Sequence, residues 1–362
     1  MEQLRVGIAG LNRGRAFMEA LEWHPRTRIA AICDPDPERL EHCRERLGDA
    51  RPFRDYSEML DSGVDLVIVA SPVQFHGPQS IEALKRNIHV FSEVIAATSL
   101  EECRDLAAAA RQSSAKYMMG ENCCFMKPHM VVRNMARAGV FGELYYAEGA
   151  YVHYVRTLRS VAGWREEWLF GRRGGTYLTH ALGPILEWLD DVVVTVNCVG
   201  TGSHAEPRFG GDDSSTLLCK TAKGAMVVLR NDMSSPRPFR GYASLQGTKG
   251  AYEPDWGHDG KLGERVCLPD RESRDSHPAW RPLSEFEDEF LPEIWRNRPE
   301  GMASHVHGDA DGLTVLAFVE AVLNDEEPPI NVHRALDFTV PGLVSAVSAE
   351  QGGTPVAVPT FR

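Results

Sequence analysis

At 362 residues the chain is longer than a single hydrophobic core usually grows, so two domains are expected. Its hydrophobic fraction of 43% and charged fraction of 25% are those of an ordinary globular protein and argue against disorder. A formal net charge of -12 repels phosphate-rich surfaces, which argues against a nucleic-acid or membrane partner and favours a small-molecule substrate.

The first third alternates short apolar runs with helical spacing. Residues 6–9, 29–33, 65–70, 89–92 and 117–119 read as strands, and 16–21, 37–47, 78–86 and 100–111 as helices between them. This alternation predicts a parallel sheet covered on both faces. From about Tyr145 the pattern shifts to longer alternating strands, 144–154 and 192–199, then 215–220 and 225–230 joined by Lys223-Gly224, the grammar of an antiparallel sheet with one covered face. Helices are expected over 177–189 and 312–323, and 256–304 reads as a long loop with a short helix near Phe286.

The start, from Met1 into Leu4-Arg5-Val6-Gly7-Ile8-Ala9, has no basic segment followed by a long apolar one, and no stretch reaches the roughly 20 apolar residues of a spanning helix. A cytoplasmic protein is expected. The eight cysteines, at 33, 43, 103, 123, 124, 198, 219 and 267, lack zinc-site spacing and read as free thiols in a reducing compartment. His305 and His307 have no carboxylate at ligand spacing, and no metal is expected.

Between the first strand and first helix lies Gly10-Leu11-Asn12-Arg13-Gly14, where glycines let the backbone approach a pyrophosphate held by the helix N-terminus. Asn12 stands where a literal G-x-G-x-x-G has its middle glycine, and Gly14 comes one residue early. Asp34 closes the second strand about 20 residues on, where a carboxylate bonds ribose hydroxyls and repels a 2′-phosphate. NAD is therefore expected over NADP. The competing reading is that Asp34, followed by Pro35, starts a turn and caps the next helix.

Four segments carry a wider likeness: Arg54-Asp55-Tyr56-Ser57-Glu58-Met59-Leu60, Ser71-Pro72-Val73-Gln74-Phe75-His76, His89-Val90-Phe91-Ser92-Glu93, and Ser348-Ala349-Glu350-Gln351-Gly352-Gly353-Thr354-Pro355-Val356. Along nearly its full length the chain resembles the glucose-fructose oxidoreductase / inositol dehydrogenase / MocA (Gfo/Idh/MocA) family. The resemblance implies an α/β fold: an N-terminal Rossmann domain with a doubly wound parallel sheet over 1–121, and a C-terminal α+β domain with a large, mostly antiparallel open sheet over 122–335. Residues 336–362 are expected to pack back on the body. It also implies a homodimer or homotetramer.

Family dehydrogenases follow the glutamate with Lys-Pro and carry Asp-x-x-x-His on the first helix of the second domain. Here Glu93 precedes Val94-Ile95, and the helix reads Tyr177-Leu178-Thr179-His180-Ala181-Leu182-Gly183-Pro184. Those departures, with Gly120-Glu121-Asn122-Cys123-Cys124-Phe125, Glu148-Gly149-Ala150-Tyr151-Val152-His153, Ser235-Pro236-Arg237-Pro238 and His307-Gly308, are similar to the NAD-dependent glycoside hydrolase family 109 branch. Leu178 stands where that branch has proline, and Asp309-Ala310 where it has Gly-Met.

That resemblance implies transient oxidation at sugar C3, removal of the C2 proton, loss of the C1 substituent, addition of water and re-reduction, a recognised exception to the two-carboxylate rule. Two proton-handling groups are then needed. The matching positions are His180 for the C3 hydroxyl and Tyr151 for C2, with Tyr177 and Glu121 beside them; the two roles can be exchanged. A phenol with a reference pKa of about 10 needs help to act as a base. Cofactor contacts are expected from Gly10, Leu11, Asn12, Arg13, Gly14, Asp34, Ser71, Pro72, Gln74, His76, Glu93 and Asn122.

Substrate contacts are expected from Thr179 and from Arg156, Arg165, Arg173 and Arg237, whose guanidinium forks suit a sulfonate, carboxylate or phosphate on the sugar. The bland alternatives are solvated arginines, a helix histidine bonded to a carbonyl, and packing tyrosines. Two other functions stay open: an NAD-dependent sugar or cyclitol dehydrogenase with relocated catalytic groups, and a non-catalytic regulatory protein that binds NAD and sugar.

Overall fold

The structure is a computed structural model and describes residues 3–155, 163, 168, 171–205, 207–256, 262–269, 279–299 and 309–362. The chain divides into two compact units, one of Met1–Asn122, Arg298–Thr339 and Thr360–Arg362, the other of Cys123–Asn297 and Val340–Pro359.

In the first unit six parallel strands, β1 (Leu4–Ala9), β2 (Thr27–Cys33), β3 (Arg51–Phe53), β4 (Leu66–Val69), β5 (His89–Ser92) and β6 (Tyr117–Met119), lie in the order β3-β2-β1-β4-β5-β6. This is the doubly wound Rossmann order. β4 is buried at every position, which is why it reads as an unbroken apolar run. Helices α1 (Leu11–Trp23), α2 (Pro37–Leu47), α3 (Tyr56–Asp61), α4 (His76–Lys85) and α5 (Leu100–Gln112) cross between them.

The sequence reading missed β3 and α3. β3 is a three-residue edge strand containing Pro52, which only an edge tolerates. α3 is announced by Asp55, whose side chain accepts a hydrogen bond from Glu58 N at 3.0 Å, a cap that the Asp-x-x-Glu spacing encodes.

The second unit holds α6 (Lys127–Arg137), β7 (Leu144–Val152), α7 (Thr179–Leu189), β8 (Val193–Gly200), β9 (Ser214–Thr221), β10 (Met226–Asp232), β11 (Arg240–Gly247), β12 (Ala251–Trp256), β13 (Leu262–Cys267), β14 (Arg281–Pro282), α8 (Glu287–Phe290), α9 (Glu293–Arg296) and β15 (Val356–Ala357). Its nine-stranded sheet runs β14-β13-β12-β11-β7-β10-β9-β8-β15, antiparallel except where β10 pairs in parallel with β7. The fold class is the expected one. The stretch 256–304 is less loop-like than its composition suggests: β13 pairs with β12, setting Arg265 opposite Glu253, and short helices follow Phe286 and contain Trp295.

β7 is the central strand, and α7 lies close on it because residue 149 is glycine. A Cβ there would approach Ile185 Cδ1 to 3.0 Å and Ala181 Cβ to 3.3 Å. Beyond α9, α10 (Ala310–Leu323) packs on α1 in the first unit, and the Phe91 ring meets Phe17 edge-to-face at 5.1 Å and Phe318 at a tilt at 6.0 Å. The last helix, α11 (Val332–Glu350), gives its first turns to the first unit and the rest to the second.

Candidate active site

In the first unit the loop between β1 and α1 is shaped by glycines. Gly10 has φ +86, and a Cβ there would lie 2.4 Å from Ala70 O and Ser71 N. Only glycine fits that close approach. At Gly14 a Cβ would lie 2.6 Å from Ile8 Cγ2, so this glycine lets α1 press on β1. Leu11 N, at the open end of α1, donates to Asp34 Oδ2 at 2.9 Å, and Asp36 N to Asp34 Oδ1 at 3.0 Å. The buried Asp34 carboxylate is thereby fixed at the end of β2, so its turn-forming and site-forming readings are both compatible with this geometry. Beside it a cavity of about 270 Å³ is lined by Leu11, Asn12, Arg15, Asp36, Arg39 and His42 among others.

Ser71 and Pro72 follow β4, and Gln74 is exposed on the turn after them. His76 is buried with its ring between Ser71 O, 2.8 Å from Nε2, and Ile95 O, 3.0 Å from Nδ1, so it ties this turn down. Glu121 is fully buried after β6, and Gly120 before it is required because a Cβ would lie 2.6 Å from Phe91 Cζ.

Arg13 is clasped by two acids. Its Nε donates to Glu93 Oε1 at 2.7 Å, and Nη1 and Nη2 donate to Asp311 Oδ2 and Oδ1 at 2.7 and 2.8 Å. Burial alone would weaken its charge, but Glu93 and Asp311 outweigh it and hold the guanidinium pKa above its ordinary value. Asn122 Nδ2 donates to Asp311 Oδ1 at 2.7 Å, which leaves Asn122 Oδ1 buried with no hydrogen-bond partner among the described residues. The sequence reading missed Asp311. Its signal was a lone acid in the first turn of the largely apolar α10.

The second unit gathers the proton-transfer candidates. The Tyr151 ring on β7 lies 4.8 Å from the His180 ring on α7 and 6.1 Å from the Tyr177 ring, and Tyr177 lies 5.5 Å from His180. Cys123 Sγ is 3.6 Å from His180 Nδ1. Thr179 Oγ1 is buried with no hydrogen-bond partner among the described residues. Two aromatic neighbours went unassigned in the sequence reading: His153, whose Nδ1 is 3.3 Å from the Tyr151 hydroxyl, and the exposed Phe239, whose ring is 5.7 Å from Tyr151 and 5.6 Å from His153. The period of two along the strand expected over 144–154 puts Tyr151 and His153 on one face and was the available signal, although β7 itself ends at Val152.

The arginines do not converge in the same way. Arg173 and Arg237 are exposed, and Arg172 lies over the Trp168 ring at 4.7 Å. Arg156, Arg165, His305 and His307 lie outside the described residues.

A six-stranded dinucleotide-type sheet joined to an antiparallel-sheet unit that clusters histidine and tyrosines defines a Rossmann-based oxidoreductase architecture. Comparison with known proteins agrees. Residues 4–121 match the oxidoreductase family model with an NAD-binding Rossmann fold, 129–253 the Gfo/Idh/MocA C-terminal domain, and 193–362 the glycosyl hydrolase 109 C-terminal domain.

A glycosyl hydrolase family 109 protein of Streptomyces filamentosus is 30% identical over 394 residues, covering 99% of this chain and 77% of that protein. Another, from Shewanella woodyi, is 28% identical over 401 residues, covering 100% and 85%. Among solved structures, an oxidoreductase domain protein from Kribbella flavida matches with a TM-score of 0.80 at 18% identity, covering 99% of this chain and 100% of that one. The WlbA dehydrogenase of Bordetella pertussis, in complex with NADH and UDP-GlcNAcA, matches with a TM-score of 0.77 at 20% identity, covering 99% and 98%. At these identities the two structures establish the fold alone.

The chain belongs to glycosyl hydrolase family 109, within the Gfo/Idh/MocA oxidoreductase superfamily. It is thus a glycosidase with an NAD-binding Rossmann domain.

Proposed function

We propose that the protein hydrolyses a hexopyranoside with NAD as resident cofactor, by transient oxidation at C3, elimination of the C1 substituent, addition of water and re-reduction. The substrate class we put forward is an N-acetylated or an acidic sugar, such as a sulfoquinovoside. The observation that carries this reading is the cluster of His180, Tyr151 and Tyr177, with ring centroids 4.8 to 6.1 Å apart, which offers an imidazole and two phenols where an ordinary glycosidase has paired carboxylates.

The first unit fits the cofactor. Gly10 leaves space that a Cβ would fill, and Asn122 Oδ1 is a buried acceptor. Gly10, Leu11, Asn12 and Gly14 would hold the pyrophosphate and Asp34 the ribose hydroxyls, while Ser71, Pro72, Gln74 and Asn122 would serve the nicotinamide half. Arg13, Glu93 and His76 would act from behind as supports, since their polar groups are bonded to protein. When bound, NAD supplies a reversible hydride acceptor for C3.

Proton movements fall to the side chains. His180 takes the C3 hydroxyl proton as a neutral imidazole, and Tyr151 takes the C2 proton made acidic by the C3 ketone. Glu121 bonds sugar hydroxyls, and the exposed Arg173 and Arg237 answer an anionic substituent. The uncovered face of the second sheet exposes Val199, Leu218 and Met226 and suits the homodimer or homotetramer that the family resemblance implies.

The test is hydrolysis of a panel of neutral, N-acetylated and sulfonated nitrophenyl glycosides with NAD added or stripped. The reading predicts nitrophenol release that requires NAD without accumulation of NADH. Steady NADH build-up without release would identify a dehydrogenase instead, and release that persists in fully stripped protein would refute the redox route.

A further inference from the structure

The role given to Tyr151 leaves a chemical gap: near neutral pH its phenol is a proton donor, and a base is needed at C2. We propose that His153 fills this gap as the proton acceptor of Tyr151, so that the two side chains work as a relay. The inference rests on the reading that Tyr151 serves C2.

Tyr151 is the penultimate residue of β7, and His153 follows directly on the strand's last residue, with its backbone still tied to β10. Tyr151 is in register with Asn231 on one side and Gly241 on the other, and His153 N donates to Asp232 O at 2.8 Å. The Tyr151 hydroxyl meets His153 Nδ1 at 3.3 Å, and their rings stand nearly perpendicular, 5.8 Å apart at 83°. With the imidazole proton on Nε2, Nδ1 is the acceptor and the phenol the donor. Phe239 packs edge-on against both rings, at 5.7 and 5.6 Å, and shields the pair on that side, which strengthens the polar contact.

In the step itself the Tyr151 O–H bond breaks and its proton passes to His153 Nδ1. The phenolate oxygen then takes the C2 proton of the 3-keto sugar. The C2–H electron pair becomes the C1–C2 π bond, and the C1–O bond breaks toward the aglycone oxygen, which is protonated from solvent. Water addition reverses the sequence: the water oxygen bonds C1 and its surplus proton leaves to solvent. Tyr151, whose hydroxyl hydrogen has exchanged with solvent in the interval, gives a proton to C2, and His153 returns one to Tyr151. No electrons are gained or lost in this half of the cycle. His153 is a positioning residue that acts through Tyr151 and does not touch the sugar.

A nitrophenyl glycoside already oxidised to the 3-ketone isolates this half, because its elimination needs no hydride transfer. Wild type, Tyr151→Phe, His153→Asn and His153→Phe would be compared for nitrophenol release from it. In parallel, the burst of NADH from the unoxidised glycoside would report on folding and on the oxidation step. Asparagine can accept the phenol hydrogen bond through its amide oxygen but cannot take the proton.

The relay therefore predicts that His153→Asn and His153→Phe both lose about a hundredfold in kcat for elimination, with KM little changed and the NADH burst retained. Near-wild-type elimination in His153→Asn would overturn the relay and leave His153 an orienting contact only. Loss of the burst in step with elimination in both His153 variants would overturn it in favour of a structural role. Full elimination in Tyr151→Phe would remove Tyr151 from C2 and the inference with it, and no elimination by wild type would refute the proposed function itself.

Discussion

Arg13 and Asp311 show how a single residue outside any motif can hold a binding surface together. The Asp311 carboxylate accepts from both Arg13 Nη atoms and from Asn122 Nδ2, so it fixes the amide orientation that turns Asn122 Oδ1 away as an open acceptor. Asp311→Asn would leave Arg13 with Glu93 alone and remove an ionic acceptor buried at 3% exposure. We expect a loss of about 3 kcal/mol in stability, read from urea unfolding, together with weaker NAD binding in a fluorescence titration. Equal stability and affinity in the variant would show that the clasp is incidental.

Sequence reasoning reached His180, Tyr151 and Tyr177 through motif likeness, because each sits in a recognisable string. Asp311 and Phe239 escaped it, since their partners lie far along the chain: 298 residues separate Arg13 from Asp311. Spacing cannot report such a pair. The arginine group looked compact in sequence, yet the described members Arg173 and Arg237 are solvated.

Among the elements, the parallel strands were legible because both their faces are buried, which makes 66–69 apolar throughout and leaves Val90 and Phe91 as the apolar centre of 89–92. β13 was hidden by its composition, since Gly263, Glu264 and Arg265 read as turn residues; its pairing with β12 sets Arg265 against Glu253, and Tyr252 OH donates to Glu264 Oε2 at 2.5 Å. The junction of β1 and α1 is the element on which cofactor binding depends. Gly10→Ala would force a Cβ to 2.4 Å from Ala70 O at a positive φ. The expected cost is about 2 kcal/mol or more, seen as a lower Tm, together with loss of NAD affinity. An alanine variant with unchanged Tm and NAD affinity would contradict the account of this turn.

For the whole molecule, titration of buried thiols sets an alkaline limit. Burial pushes Cys33, Cys103 and Cys219 from 9.0 up to about 12, and neighbouring Asp34 and Asp55 add to the effect at Cys33. A folded pKa raised above the unfolded value means full stability below pH 9, lost as pH rises from about 9 to 12, because the unfolded chain then releases protons the native state keeps. Urea midpoints measured from pH 7 to 11 should therefore fall above pH 9, and fall less when these three cysteines are replaced by alanine and each variant is compared with its own value at pH 7. A flat profile would contradict the burial described.

The central claim is a glycosidase that works through a C3 ketone, and it makes one demand that no direct displacement shares: the C2 hydrogen must leave and return while the C3 hydrogen is kept. The decisive measurement is to hydrolyse whichever nitrophenyl glycoside the panel identifies in D₂O and read the recovered sugar by NMR. The account predicts deuterium at C2 with the original hydrogen retained at C3. A product that keeps its C2 hydrogen after complete hydrolysis would contradict it.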